Sequence, residues 1–172
     1  KDCRVFELNL SEKNLRSFPK SALKIKTLKK LNLSDNEIGS VPAEIKNLEN
    51  LEELNLESCN LKALPKEIEK LKNLKVLNIA GNGGFGTKAI PIQIPETIKD
   101  LKSLEVLDVS SNTDQLGLDK ESNKMMFSEF KLPDAIGDLE NLKVLISNYN
   151  RTPLPETVTN LKKLEKVQMY GG

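Results

Sequence analysis

A fixed period governs what this chain can fold into. Val5, Leu28, Leu51 and Leu74 each open an apolar triplet, and each lies 23 residues beyond the one before. The triplets, at positions one, four and six of each period, are Val5/Leu8/Leu10, Leu28/Leu31/Leu33, Leu51/Leu54/Leu56, Leu74/Leu77/Ile79 and Leu104/Leu107/Val109. Leu142/Leu145 with Ser147, then Leu164/Val167/Met169, complete the series. Seven strands follow. A chain that meets the same triplet after every crossover sets those strands side by side and parallel.

A second signal occupies the stretch between strands. Phe18-Pro19, Val41-Pro42, Leu64-Pro65, Ile94-Pro95, Leu132-Pro133 and Leu154-Pro155 are each followed by apolar residues three and six positions on, as in Pro42/Ile45/Leu48. Proline suits the first turn of a short helix, and the apolar spacing gives that helix one inward face. Four position-nine residues are asparagine (Asn36, Asn82, Asn112 and Asn150), where a side-chain amide can satisfy backbone groups at the bend leaving the strand. Lys13 and Cys59 depart from that rule. One repeat cannot bury its leucines alone, but stacked neighbours can, so a chain with 4% aromatics and no tryptophan still builds a continuous core.

The pattern LxxLxLxxNxLxxLPxxIxxLxxL resembles the leucine-rich repeat family, in particular its 23-residue class, over about Val5 to Met169. The resemblance implies an α/β fold: a right-handed curved solenoid, with a parallel sheet on the concave face and short α or 3-10 segments on the convex face. It implies a single domain over residues 1–172, of about six and a half repeats. For function it implies recognition of a protein partner, with no catalysis and no cofactor. Such repeats occur in bacterial secreted or surface proteins, spirochaetal ones included, and in intracellular adaptors of the Ras-group type. The Lys-rich, His-free composition favours the bacterial, secreted or surface-displayed reading, with a cytoplasmic adaptor as the alternative.

Charge narrows the partner class. Lys+Arg total 26 and Asp+Glu 25, for a net charge of +1, and only Arg4, Arg16 and Arg151 are arginines, so no nucleic-acid footprint is visible. No apolar stretch approaches the roughly 20 residues that span a bilayer, and Lys1-Asp2-Cys3-Arg4 is no signal peptide. The chain opens almost directly on strand material, which suggests that an upstream segment has been removed. Cys3 and Cys59 fall at opposite strand ends two repeats apart, beyond disulfide reach, and read as separate thiols. Histidine is absent, which excludes Ser-His and Cys-His catalysis and every imidazole metal site.

Two repeats break the period. Asn36 to Pro42 and Cys59 to Pro65 are six residues apart, whereas Asn82 to Pro95 is thirteen and Asn112 to Pro133 is twenty-one. Insertions near 83–93 and 113–131 therefore leave neighbouring strands from the same end, and insertions on one side often mark a binding side. The first contains Gly81-Asn82-Gly83-Gly84-Phe85-Gly86, which matches GxGxxG, but Pro91 and Pro95 follow where a helix would have to begin. It reads as a turn presenting Phe85. The second carries Met125-Met126-Phe127-Ser128-Glu129-Phe130, either an extra turn folded back on the solenoid edge or a partner-contacting loop.

Between the core leucines, alternate side chains point to the concave face. Position three supplies Glu7, Lys30, Glu53, Val76, Val106, Val144 and Lys166; position five supplies Asn9, Asn32, Asn55, Asn78, Asp108, Ile146 and Gln168. The candidate partner site is the C-terminal half of this face: Val76, Asn78, Val106, Asp108, Val144 and Ile146, with Tyr149 and Tyr170 as aromatic handles and Phe85, Met126 and Phe127 on the insertions. Intramolecular cover by the second insertion and plain strand propensity are the competing readings of the valines. The last strand leaves an unprotected edge, open to pairing with another chain.

Overall fold

The computed structural model describes residues 4–83, 90–113, 115–118, 125–127 and 129–171. Among the described residues there are nine short strands: β1 (Glu7–Asn9), β2 (Lys30–Asn32), β3 (Glu53–Asn55), β4 (Val76–Asn78), β5 (Val106–Asp108), β6 (Gln115–Leu118), β7 (Met125–Phe127), β8 (Val144–Ile146) and β9 (Lys166–Gln168). Seven of them form one parallel sheet in the order β1-β2-β3-β4-β5-β8-β9. Register is kept throughout, Leu8, Leu31, Leu54, Leu77, Leu107, Leu145 and Val167 standing in one row. The protein is thus a curved solenoid whose seven periods are those of the sequence.

Every described helical segment is a 3-10 turn: Ala22–Lys24, Ala43–Asn47, Lys66–Lys70, Glu96–Asp100, Asp134–Asp138 and Glu156–Asn160. The reason is the apolar spacing. In Pro42/Ile45/Leu48/Leu51 every third residue is apolar, and three residues per turn is the 3-10 repeat, in which i and i+3 eclipse. The backbone follows suit, with Ile45 N donating to Pro42 O at 3.0 Å, Leu48 N to Ile45 O at 3.0 Å and Leu51 N to Leu48 O at 2.9 Å. The prolines stand one residue outside the turn, as extended N-caps, rather than within its first turn.

Core leucines of the internal repeats are wholly buried, among them Leu28, Leu51, Leu74, Leu104 and Leu142 at 0% exposure. At about 1.5–3 kcal/mol for each buried aliphatic side chain, this ladder is the main source of stability. The outermost strands lack a neighbour on one side, and there Val5, Phe6, Val167 and Met169 are 40–46% exposed.

The asparagines form an internal spine. Asn82 Oδ1 accepts from Cys59 N and Leu61 N, both at 3.0 Å, while Nδ2 donates to Leu56 O, Ile79 O and Ala80 O. Asn36 repeats this with Lys13 N, Leu15 N, Leu10 O, Leu33 O and Ser34 O. Cys59 substitutes a thiol, which donates to Leu33 O at 3.1 Å; burial pushes that thiol up to about 12. Cys59 is free and buried, and Cys3 lies outside the described residues. One position earlier, Glu12, Asp35, Ser58, Gly81, Ser111, Tyr149 and Gly171 all hold left-handed φ, between 52° and 69°. Such backbone is uncommon outside glycine, yet here every repeat uses it to leave its strand.

The second insertion is a correction to an extra turn: β6 and β7 pair antiparallel as a small hairpin. Its exit does fold back, since Phe130 is 1% exposed within the solenoid core.

Candidate functional site

The concave face divides in two. Across β1, β2 and β3, position three is a row of charges: Lys30 Nζ lies 2.9 Å from Glu53 and 3.9 Å from Glu7. The hydrogen bond to Glu53 raises the Lys30 ammonium above its ordinary value. From β4 the same row becomes Val76, Val106 and Val144, paired in register as Val76↔Val106↔Val144. Ile146 faces outward beside them, in register with Asp108. All four apolar residues are half-buried, so the strip keeps part of its surface in solvent.

Position five is fixed by local hydrogen bonding. The side-chain oxygens of Asn9, Asn32, Asn55, Asn78 and Asp108 each accept from the backbone N–H two residues on, at 2.9–3.0 Å. With the oxygen committed, the amide N–H groups of Asn9, Asn32 and Asn55 are left to face the concavity, while Asn78 Nδ2 donates to Glu57 Oε2 at 3.0 Å. A shallow hollow of about 380 Å³ lies over this half, lined by both rows from β1 to β4.

Tyr149 and Tyr170 stand at the strand-exit edge, past Ile146, rather than over the sheet. Each is 62% exposed, and Tyr149 N donates to Tyr170 O at 2.6 Å. Gly171 packs on the Tyr149 ring; a β-carbon there would fall 2.5 Å from Cδ1. Among the insertion residues, Phe85 lies outside the described residues, and Met126 and Phe127 lie in β7, of which the backbone alone is described. The GxGxxG run has structural work for two of its glycines: Gly81 takes the left-handed exit position, and at Gly83 a β-carbon would fall 2.8 Å from the Asn112 carbonyl oxygen.

One arrangement emerges only from the register. Position two, at the start of each strand, reads Lys29, Glu52, Lys75, Glu105, Lys143 and Glu165, alternating in sign. Glu52 bridges Lys29 and Lys75 at 2.7 Å each, and Glu105 pairs with Lys143 at 2.7 Å. The bonds from Lys29 and Lys75 hold the Glu52 carboxyl down to about 2. The signal was present in the sequence, but it becomes visible only when the repeats are stacked.

Residues 1–125 match the family model of a leucine-rich repeat region. The chain belongs to the leucine-rich repeat family. Among solved structures with a similar fold is the Arabidopsis receptor kinase HAESA, in complex with the peptide hormone IDA and the co-receptor SERK1. That structure is 26% identical, with a TM-score of 0.62 over 90% of this chain, which spans 24% of the receptor chain. No curated protein matches the chain by sequence. Among the described residues no group of His, Cys, Asp and Glu could hold a metal ion, and no helix is long and apolar enough to cross a membrane.

Proposed function

We propose that this leucine-rich repeat chain is a non-catalytic recognition module whose protein partner docks on the C-terminal half of the concave sheet. The observation that carries the reading is the in-register row Val76, Val106 and Val144 with Ile146, apolar and partly in solvent on a face otherwise lined by charges and amides. Asn78 and Asp108 supply polar groups at its margin, and Tyr149 and Tyr170 add aromatic anchors on the exit edge. Phe85, Met126 and Phe127, on the two insertions, belong to the proposed partner site by their sequence position. HAESA supports the reading as a related fold bound to a peptide hormone and a co-receptor.

The Lys-rich, His-free composition favours a bacterial protein that is secreted or displayed at the surface. Surface proteolysis of intact source cells, against lysed cells, tests that placement. Docking is tested by affinity capture on the parent and on a Val106→Glu, Ile146→Glu variant with unchanged circular dichroism. The reading expects a partner retained by the parent and lost by the variant; equal retention by both overturns it.

A further inference from the structure

The concave face also carries information about the chemistry of its partner. On the strand-start edge the fold pairs most of its charges: Glu52 meets Lys29 and Lys75, and Glu105 meets Lys143, each at 2.7 Å across the sheet. The inner face and exit edge of β1 to β3 do not balance. Glu7 and Glu53 share the single ammonium of Lys30, and Glu12, Asp35 and Glu57 form no ion pair among the described residues. Five carboxylates thus stand against Lys30 and Lys13. Asp35 and Glu57 lie close enough to the buried Cys59 for both to oppose its ionisation.

Three further features point to a linear occupant. The hollow over β1 to β4 spans four successive strands, and the free amide donors of Asn9, Asn32 and Asn55 line it strand after strand. Amide N–H donors are chemically complementary to carbonyl oxygens, the acceptors that every main chain carries. The acidic half then runs directly into the valine row. Parallel strands stand about 4.8 Å apart, so the four steps from Lys30 on β2 to Val144 on β8 cover about 19 Å, and an extended chain advancing about 3.3 Å per residue crosses them in about six residues. Cationic and apolar contacts therefore fall within one short segment.

We propose that the partner presents an extended segment of about six to eight residues, in which Lys or Arg residues over Glu7, Glu53 and the exit-edge carboxylates adjoin an apolar run over Val76, Val106 and Val144. This rests on the concave-face reading above. Its donors meet the exposed carboxylates, its main-chain carbonyls meet the asparagine amides, and its apolar side chains cover the valine row. Charge complementarity of this kind sets specificity and on-rate more than bulk affinity.

The test is fluorescence polarisation with four labelled octapeptides. Two join a Lys/Arg block to a Leu/Ile block, in either order; one replaces the cations with Glu and one replaces the apolar block with Ser. The proteins are the parent, a Glu12→Gln, Asp35→Asn, Glu53→Gln variant and Val106→Glu, each checked for fold by circular dichroism. The expected result is binding of a cationic–apolar peptide, weakened about tenfold or more by either variant and by raised salt, with the acidic peptide at least about tenfold weaker. Equal binding of the acidic peptide, or loss on Val106→Glu with no change in the triple variant, overturns the charge inference and leaves the concave-face reading standing. Binding indifferent to Val106→Glu overturns both, and absence of binding by either cationic peptide overturns the linear-segment inference alone.

Discussion

Replacing Asn82 with alanine tests the spine at a fully buried point. The side chain is 1% exposed and makes five hydrogen bonds. Two of its three acceptors keep another donor: Ala80 O is bonded by Ser58 N, and Ile79 O by Asn112 Nδ2. Truncation therefore strips Cys59 N, Leu61 N and Leu56 O, in residues no more than 1% exposed. At about 1–3 kcal/mol per buried group left without a partner, and with some recovery by water entering the gap, the expected loss is about 3–5 kcal/mol. Asn36→Ala is the internal control. It removes the same five bonds, but its N–H donors belong to exposed Lys13 and half-buried Leu15, which water can reach. That loss should be smaller by about 1–2 kcal/mol. Urea unfolding followed by circular dichroism measures both. An Asn36→Ala loss equal to or larger than that of Asn82→Ala would refute the argument from buried, unsatisfied groups.

Three other predictions concern separate parts of the fold. In a Cys3→Ser background, Cys59 should stay unreactive toward a disulfide reagent in the native state and react fully in urea; because folding raises its pKa to about 12 from an ordinary 9.0, its contribution is complete below pH 9 and lost as pH climbs toward 12. Gly137→Ala should lower stability by about 1–3 kcal/mol in a thermal melt, since the new β-carbon would lie 2.7 Å from Thr157 Cβ and force two 3-10 turns apart. The Glu52 carboxyl is depressed to about 2, so the stability it adds is present above the ordinary carboxylate value of 4.5 and disappears as pH falls toward 2; Glu52→Gln should flatten that acid limb, more at low salt than at high.

The periods, strands and spine were legible because each rests on residues with a single structural use. Leucines at one, four and six have only the core to enter, and a proline followed by apolar residues every third position fits a 3-10 turn. The left-handed exit was not legible, because Glu12, Asp35, Ser58, Ser111 and Tyr149 share no chemistry; only Gly81 and Gly171 announce it, and the other five are held there by the stacking itself. The β6–β7 hairpin escaped because Met125-Met126-Phe127 suits an edge turn and a short strand equally, and its partner strand Gln115–Leu118 is too short to show an alternation. For the candidate site, the valine row followed directly from position three. The tyrosines did not, since Tyr149 occupies the exit turn and its place on the edge depends on that turn's geometry. The surplus of carboxylates on the exit side likewise needs the register, because Glu12, Asp35 and Glu57 belong to three different repeats and lie at least 22 residues apart along the sequence.

The central claim is that the partner lies on the concave sheet, and site-specific photo-crosslinking examines it without disturbing the surface chemistry elsewhere. Benzoylphenylalanine placed at position 144, on β8, is compared with the same group at position 46, on the convex 3-10 turn Ala43–Asn47. The account predicts a crosslinked partner from position 144 and none from position 46; crosslinking from position 46 alone would contradict it.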